Sequence, residues 1–144
     1  MDPRAITENY HVSPQIAPED AAAIKAAGYQ RVICNRPDTE NPPPWQADAM
    51  RAAMEAEGLD FNVLPITHQT LSPQLAIQQR ALVDDAGGRV LAYCASGTRC
   101  TIVWALGEAQ LGNLSSDEII AAAARGGYDL AGMRPTLEAL RPKG

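Results

Sequence analysis

Eight consecutive residues hold the groups best suited to chemistry in this chain: Tyr93-Cys94-Ala95-Ser96-Gly97-Thr98-Arg99-Cys100. A short apolar run, Arg89 to Ala92, precedes them, and Thr101 to Leu111 reads as a helix. The order is buried strand, tight glycine-containing loop, helix N-terminus. Such a turn aims several backbone N–H groups at one point, at the positive end of a helix dipole. Cys94 at the strand end faces those groups and Arg99, and all of them favour thiolate over thiol. Its pKa is expected to fall and its reactivity to rise. The cradle of Ala95, Ser96, Gly97 and Thr98 would also hold an anion on a substrate. Most buried cysteines are inert core residues. Cys94 is singled out because a strand end, a loop glycine and an arginine at the helix start coincide around it.

The elements that must position this loop alternate along the chain. Residues 1–9 read as a loose lead-in and Tyr10-His11-Val12 as a short strand. Pro18-Glu19-Asp20 opens a helix that stops at Gly28, with proline and the acids suited to a helix start. Arg31 to Cys34 is a buried strand, and Asn35 to Glu40 a polar loop. The tract Pro42-Pro43-Pro44 leads into a helix from about Trp45 to Glu57, closed by Gly58. Phe61 to Leu64 is the next strand, and Ser72-Pro73 starts a third helix that ends before Gly87-Gly88. Arg89 to Tyr93 is the strand that feeds the loop. Beyond the loop helix, Gly112-Asn113 makes a turn, and Ser115 to Glu118 is a capping box for a helix from about Ser116 to Arg125. A short helix near Pro135 to Leu140 closes the chain. Alternating helices and short apolar strands predict one α/β domain over residues 1–144, a short parallel central sheet flanked by helices.

In open α/β sheets, ligands bind outside the carboxyl ends of the strands. Three loops leave those ends: Asn35–Glu40, Pro65–Ser72 and Ala95–Arg99. Arg36, Asp38 and His68 are therefore the candidates to face Cys94 from neighbouring loops. Each also has an ordinary reading: Arg36 and Asp38 as a loop-ordering pair, and His68 as an exposed side chain.

Composition excludes several classes of partner. The chain has 144 residues, 46% hydrophobic and 20% charged, with a formal charge of -5 and a pI near 4.9. Its basic residues are scattered singly, which argues against a nucleic-acid or membrane surface. No apolar run reaches transmembrane length, and the polar start MDPRAITENY shows no signal peptide. Three cysteines, Cys34, Cys94 and Cys100, do not suggest a secreted disulfide scaffold, so a cytoplasmic setting is expected. With no C-x2-C pair and two isolated histidines, His11 and His68, no metal is expected. Nothing in the chain calls for a cofactor, and its oligomeric state is left open.

The string from Tyr93 to Arg99 resembles the reactive loop of the phosphatase-like domain of beta-lactamase-hydrolase-like proteins. Asn35-Arg36-Pro37-Asp38-x-Glu40 resembles that family's second signature, and Ser13-x-Gln15-Ile16 is also similar. The similarity spans about residues 6–125. It implies a tyrosine-phosphatase-like α/β fold and a link to bacterial sulfide and persulfide detoxification, where members are called sulfur transferases. Two positions depart from the family: Ala95 where arginine is usual, and Cys100 where serine is usual. In loops of this shape the residue after the arginine turns back toward the cysteine. Cys100 is thus either a small buried helix residue or a thiol able to resolve an oxidised Cys94.

Three functions fit these residues. In sulfur transfer, Cys94 takes a sulfane sulfur from a small-molecule donor as a persulfide and passes it to a thiol, sulfite or cyanide. In phosphoester hydrolysis, Cys94 attacks phosphorus, Arg99 clamps the equatorial oxygens, and an acid protonates the leaving group. In the third reading, a reactive Cys94 serves a persulfide or redox sensor, or an anion-binding module. Cys94 to Arg99 spells C-x4-R, one residue shorter than the C-x5-R of tyrosine-type phosphatases and similar to single-domain rhodaneses. Such phosphatases also place an aspartate where Leu64-Pro65-Ile66-Thr67-His68 here offers a histidine. Loss of general acid catalysis costs about 10²–10⁴ in rate. Ring length and His68 together favour the sulfurtransferase reading over the phosphatase one.

Overall fold

The computed structural model describes residues 1–142. Its five strands are β1 (Arg4–Ala5), β2 (Tyr10–Ser13), β3 (Arg31–Cys34), β4 (Asp60–Val63) and β5 (Val90–Tyr93). They form one sheet in the order β1-β2-β5-β3-β4, in which only β1 runs antiparallel, against β2. Six α-helices flank it: α1 (Ala21–Ala26), α2 (Ala47–Ala56), α3 (Pro73–Asp84), α4 (Thr98–Leu111), α5 (Ser116–Arg125) and α6 (Arg134–Leu140). This is the expected α/β domain with a mostly parallel sheet. No helix among the described residues is long and apolar enough to cross a membrane.

The sheet's centre follows from the sequence of β5. Val90, Leu91, Ala92 and Tyr93 are all fully buried, as a strand covered on both faces requires. Successive side chains alternate between faces. Val90 and Ala92 join a core with Val12, Val103, Trp104, Ile119 and Leu137, while Leu91 and Tyr93 join a second with Ile24, Val32, Met50, Met54 and Phe61. Register then aligns the strand ends: Ser13 and Cys34 both pair with Tyr93, and Cys34 with Val63. The loops that follow β2, β3, β4 and β5 leave from one level.

Several boundaries differ from the sequence reading. Arg4–Ala5, within the expected lead-in, pairs with Val12 and His11; a two-residue edge strand has no periodicity to read. Two helices with proline at their start divide into a 3₁₀ turn plus an α segment: Pro18–Asp20 before α1, and Pro43–Trp45 before α2. The third change matters most: α4 begins at Thr98 rather than Thr101, with Arg99 in its first turn as expected and Cys100 beside it.

A buried polar network ties this end of the sheet together. The Tyr10 hydroxyl donates to the Cys100 carbonyl at 2.7 Å, and Gln79 Nε2 donates to both the Tyr10 hydroxyl and Asn35 Oδ1. Asn35 Nδ2 returns a bond to Gln79 Oε1 and one to the Leu64 carbonyl. A buried polar group left without its partner costs about 1–3 kcal/mol. Gln79→Leu is therefore expected to lower unfolding free energy by about 2 kcal/mol in urea titration. A loss under about 0.5 kcal/mol would mean the network adds no net stability.

Candidate active site

Cys94 follows β5 directly and is fully buried. Its N–H donates to the Ser13 carbonyl at 3.4 Å, which anchors the loop to β2. The next three carbonyls all turn outward. Ala95 O accepts from the Gln15 N–H at 3.3 Å, and Ser96 O from the Tyr128 hydroxyl at 2.8 Å. Gly97 O accepts from the Thr101 N–H at 3.1 Å and hydroxyl at 2.8 Å. With its carbonyls engaged outside, the loop leaves its N–H groups facing in. The Gly97 N–H donates to Cys94 Sγ at 3.1 Å. Gly97 caps α4 at φ +91°, and a Cβ there would lie 2.0 Å from the Tyr128 hydroxyl oxygen. Conformation and space both require glycine.

The electrostatics agree with this geometry. The Cys94 pKa is lowered to about 5, first through the Cys100 thiol that faces it. The N–H groups of Cys100, Gly97 and Ser96 act in the same direction against the cost of burial. The sequence reading credited the loop amides and Arg99; the Cys100 thiol is the larger influence. Cys100 is itself fully buried, and burial together with the neighbouring Cys94 pushes its thiol pKa well up. It faces Cys94 as expected, as a neutral donor. All three cysteines are free thiols.

Arg99 is held by groups that composition alone did not single out. Its Nη1 donates to Glu40 Oε2 and to the Ile66 carbonyl, both at 2.8 Å, and its Nη2 donates to Glu40 Oε1 at 2.8 Å. Glu40 thus grips the end of the guanidinium and is kept ionised by it, first through this hydrogen bond. A guanidinium has five N–H donors, and these contacts use three. The side-on pair, Nε–H and the second Nη2 hydrogen, has no hydrogen-bond partner among the described residues, and Arg99 is near enough to Cys94 to interact with it. That pair is the fork that binds two oxygens of a planar or tetrahedral anion.

The other expected site residues divide. Arg36 supports the site indirectly: its Nε donates to Glu40 Oε1 at 3.2 Å, and its Nη1 to Gln15 Oε1 at 3.1 Å. It pairs with Glu40 rather than with Asp38. Asp38 does not face Cys94; its Oδ1 accepts from the Ala47 N–H at 2.8 Å and caps α2. A carboxylate near the bare N–H groups after a proline run is drawn to them. His68 is exposed in the turn after β4 and makes no hydrogen bond among the described residues. Ser96 and Thr98 hydroxyls bond each other at 2.8 Å and stay exposed at the loop's rim. Glu40 and Gln15 lay in strings already noted for resemblance, but their roles depend on tertiary contacts. Tyr128 carried no sequence signal: it follows α5, far from the loop in the chain. A cavity of about 570 Å³ beside Tyr10, Arg80, Trp104 and Glu108 opens where β2 and β5 begin, at the other end of the strands.

Comparison with known proteins places this geometry. A Neisseria meningitidis protein described as a candidate phosphatase shares the fold with a TM-score of 0.85 and 32% identity, over 98% of this chain and 99% of that one. Tk-PTP superposes with a TM-score of 0.74 at 20% identity, over 96% and 95% of the two chains. The fold is tyrosine-phosphatase-like. The beta-lactamase hydrolase-like proteins of Xylella fastidiosa and Agrobacterium fabrum are 32% and 30% identical over 87% and 92% of this chain. The chain spans only 29% and 31% of their length. Residues 2–111, which include both the Glu40 loop and the Cys94–Arg99 ring, match the family described as beta-lactamase hydrolase-like protein, phosphatase-like domain, and the chain belongs to that family.

Proposed function

We propose that this chain is a cysteine-dependent phosphatase acting on phosphomonoesters with good leaving groups. The observation that carries the reading is a Cys94 thiol whose pKa is lowered to about 5 beside Arg99, whose Nε–H and second Nη2 hydrogen are not used by Glu40 or Ile66. Cys94 Sγ attacks phosphorus, the P–O bond to the leaving group breaks, and a phosphocysteine forms. Water then attacks phosphorus, releasing phosphate and restoring the thiolate. The N–H groups at the start of α4 and the Arg99 fork carry the charge on the equatorial oxygens. Cys100, facing Cys94, supplies a hydrogen bond to the thiolate. Neither carboxylate of the neighbouring loop is free to serve as the acid: Glu40 is ionised on Arg99, and Asp38 caps α2. The substrates that need no such acid are aryl phosphates. The phosphatase-like relatives support this reading over the sulfurtransferase reading favoured from sequence.

One observation still favours sulfur transfer as a second reading. The C-x4-R ring is a residue shorter than that of tyrosine-type phosphatases and suits a single sulfur atom. There Cys94 would attack the outer sulfur of thiosulfate, expel sulfite, and hold the persulfide within the same amides. Intact mass spectrometry separates the two, with the protein exposed in turn to p-nitrophenyl phosphate and to thiosulfate or glutathione persulfide. The expected result is turnover of the aryl phosphate and a trapped phosphoryl group on Cys94. A gain of one sulfur atom, with no aryl phosphate turnover, reverses the assignment.

A further inference from the structure

We infer that Tyr128 is a positioning residue for the reactive loop, holding the Ser96–Gly97 peptide so that its N–H faces Cys94; this rests on Cys94 as the reactive thiol. The carbonyl of Ser96 and the N–H of Gly97 are the two ends of one peptide unit. The carbonyl accepts from the Tyr128 hydroxyl at 2.8 Å, and the N–H donates to Cys94 Sγ at 3.1 Å. A trans peptide is planar, so these ends point in opposite directions. Fixing one fixes the other.

The peptide needs fixing. Glycine crosses between positive and negative φ at little cost, and Gly97 stands at φ +91°. Rotation of this peptide would remove a donor from Cys94 and set a carbonyl oxygen against a thiolate. Tyr128 opposes that rotation in two ways. Its hydroxyl holds the carbonyl, and its ring end packs against Gly97, where a Cβ would lie 2.0 Å from the hydroxyl oxygen and 2.9 Å from Cζ. Tyr128 is itself placed from two sides. Its N–H donates to the Ala123 carbonyl at 2.9 Å, after the Gly126-Gly127 turn that ends α5. Its hydroxyl accepts from Arg4 Nη1 at 3.3 Å, and the Arg4 guanidinium lies 5.4 Å from the ring centroid. Arg4 from β1 and Tyr128 from the turn after α5 thus converge on the outer face of the loop. Residue 128 lies beyond the stretch that matches the family, so this brace is read from contacts alone.

The test is Tyr128→Phe, which removes the hydroxyl and keeps the ring. Iodoacetamide alkylation of Cys94 is followed against pH by peptide mass spectrometry, and urea titration reports stability separately. The midpoint is expected to rise by about one pH unit, the scale of one hydrogen bond to a charged group. At pH 5 the alkylation rate is then expected to fall about fivefold. A midpoint within about 0.2 units of wild type in the folded variant overturns the assignment, even if stability drops. The readout follows ionisation of Cys94, not turnover. Retention of turnover in Cys94→Ser would instead defeat the functional reading and leave this measurement standing.

Discussion

Cys94→Ser is expected to cut turnover by on the order of 10⁴-fold or more while the fold is kept. A serine hydroxyl at this position stays protonated near neutral pH, and the loop amides that stabilise a thiolate cannot ionise it. With the Cys94 pKa near 5, the wild-type rate should fall below that pH and stay level above it until another group titrates. The same shift links to stability. An ordinary thiol titrates at about 8.5, so between about 5 and 8.5 the folded chain holds a thiolate where the unfolded chain holds a thiol. The unfolded state binds more protons in that window, and stability rises with pH across it. This contribution is complete above about 8.5 and is lost as pH falls toward 5. Cys34 and Cys100, whose pKa values burial raises, remain protonated in both states there and add nothing. Urea midpoints at pH 5.5 and 8 should therefore differ less in Cys94→Ser than in wild type. Equal pH slopes in the two proteins would show that Cys94 holds its proton in the folded state.

Arg99→Lys is expected to lower kcat by about 10²–10³-fold, with charge preserved. The wild-type guanidinium holds Glu40 at its end and the Ile66 carbonyl at its edge and still has two N–H groups left for a substrate anion. An ammonium has three donors on one atom and no planar fork. Drawn to Glu40, it leaves the substrate's oxygens without a bidentate partner; drawn to the substrate, it leaves Glu40 and Ile66 unpaired. KM should change less than kcat, because the fork matches the charge that develops in the transition state. Near wild-type kcat in Arg99→Lys would reduce Arg99 to a source of positive potential.

Much of this arrangement was legible in the chain. The apolar runs of β3 and β5, the Ser72 cap on α3 and the capping box at Ser115 are local signals, and each element stands where it was read. The strand–loop–helix order around Cys94 is also local. The depressed pKa followed from it because the nearest donors lie within six residues of the thiol. The resemblance supplied the tyrosine-phosphatase-like fold.

Tertiary structure decided the partners. The Asn35–Glu40 loop was expected at the site, with Arg36 and Asp38 as its candidates and Glu40 not among them. Both are carboxylates in one short loop; only its 3₁₀ turn turns Asp38 onto the bare N–H of Ala47 and Glu40 onto Arg99. His68 stood where tyrosine-type phosphatases place an aspartate, yet the turn after β4 leaves it in solvent. Tyr128 reaches Ser96 across 32 residues of chain, and Arg4 reaches Tyr128 across 124. No periodicity or spacing records such pairs, because they arise from packing β1 and the turn after α5 beside the loop. Residue types set which chemistry is available here, and the fold's register set which groups meet.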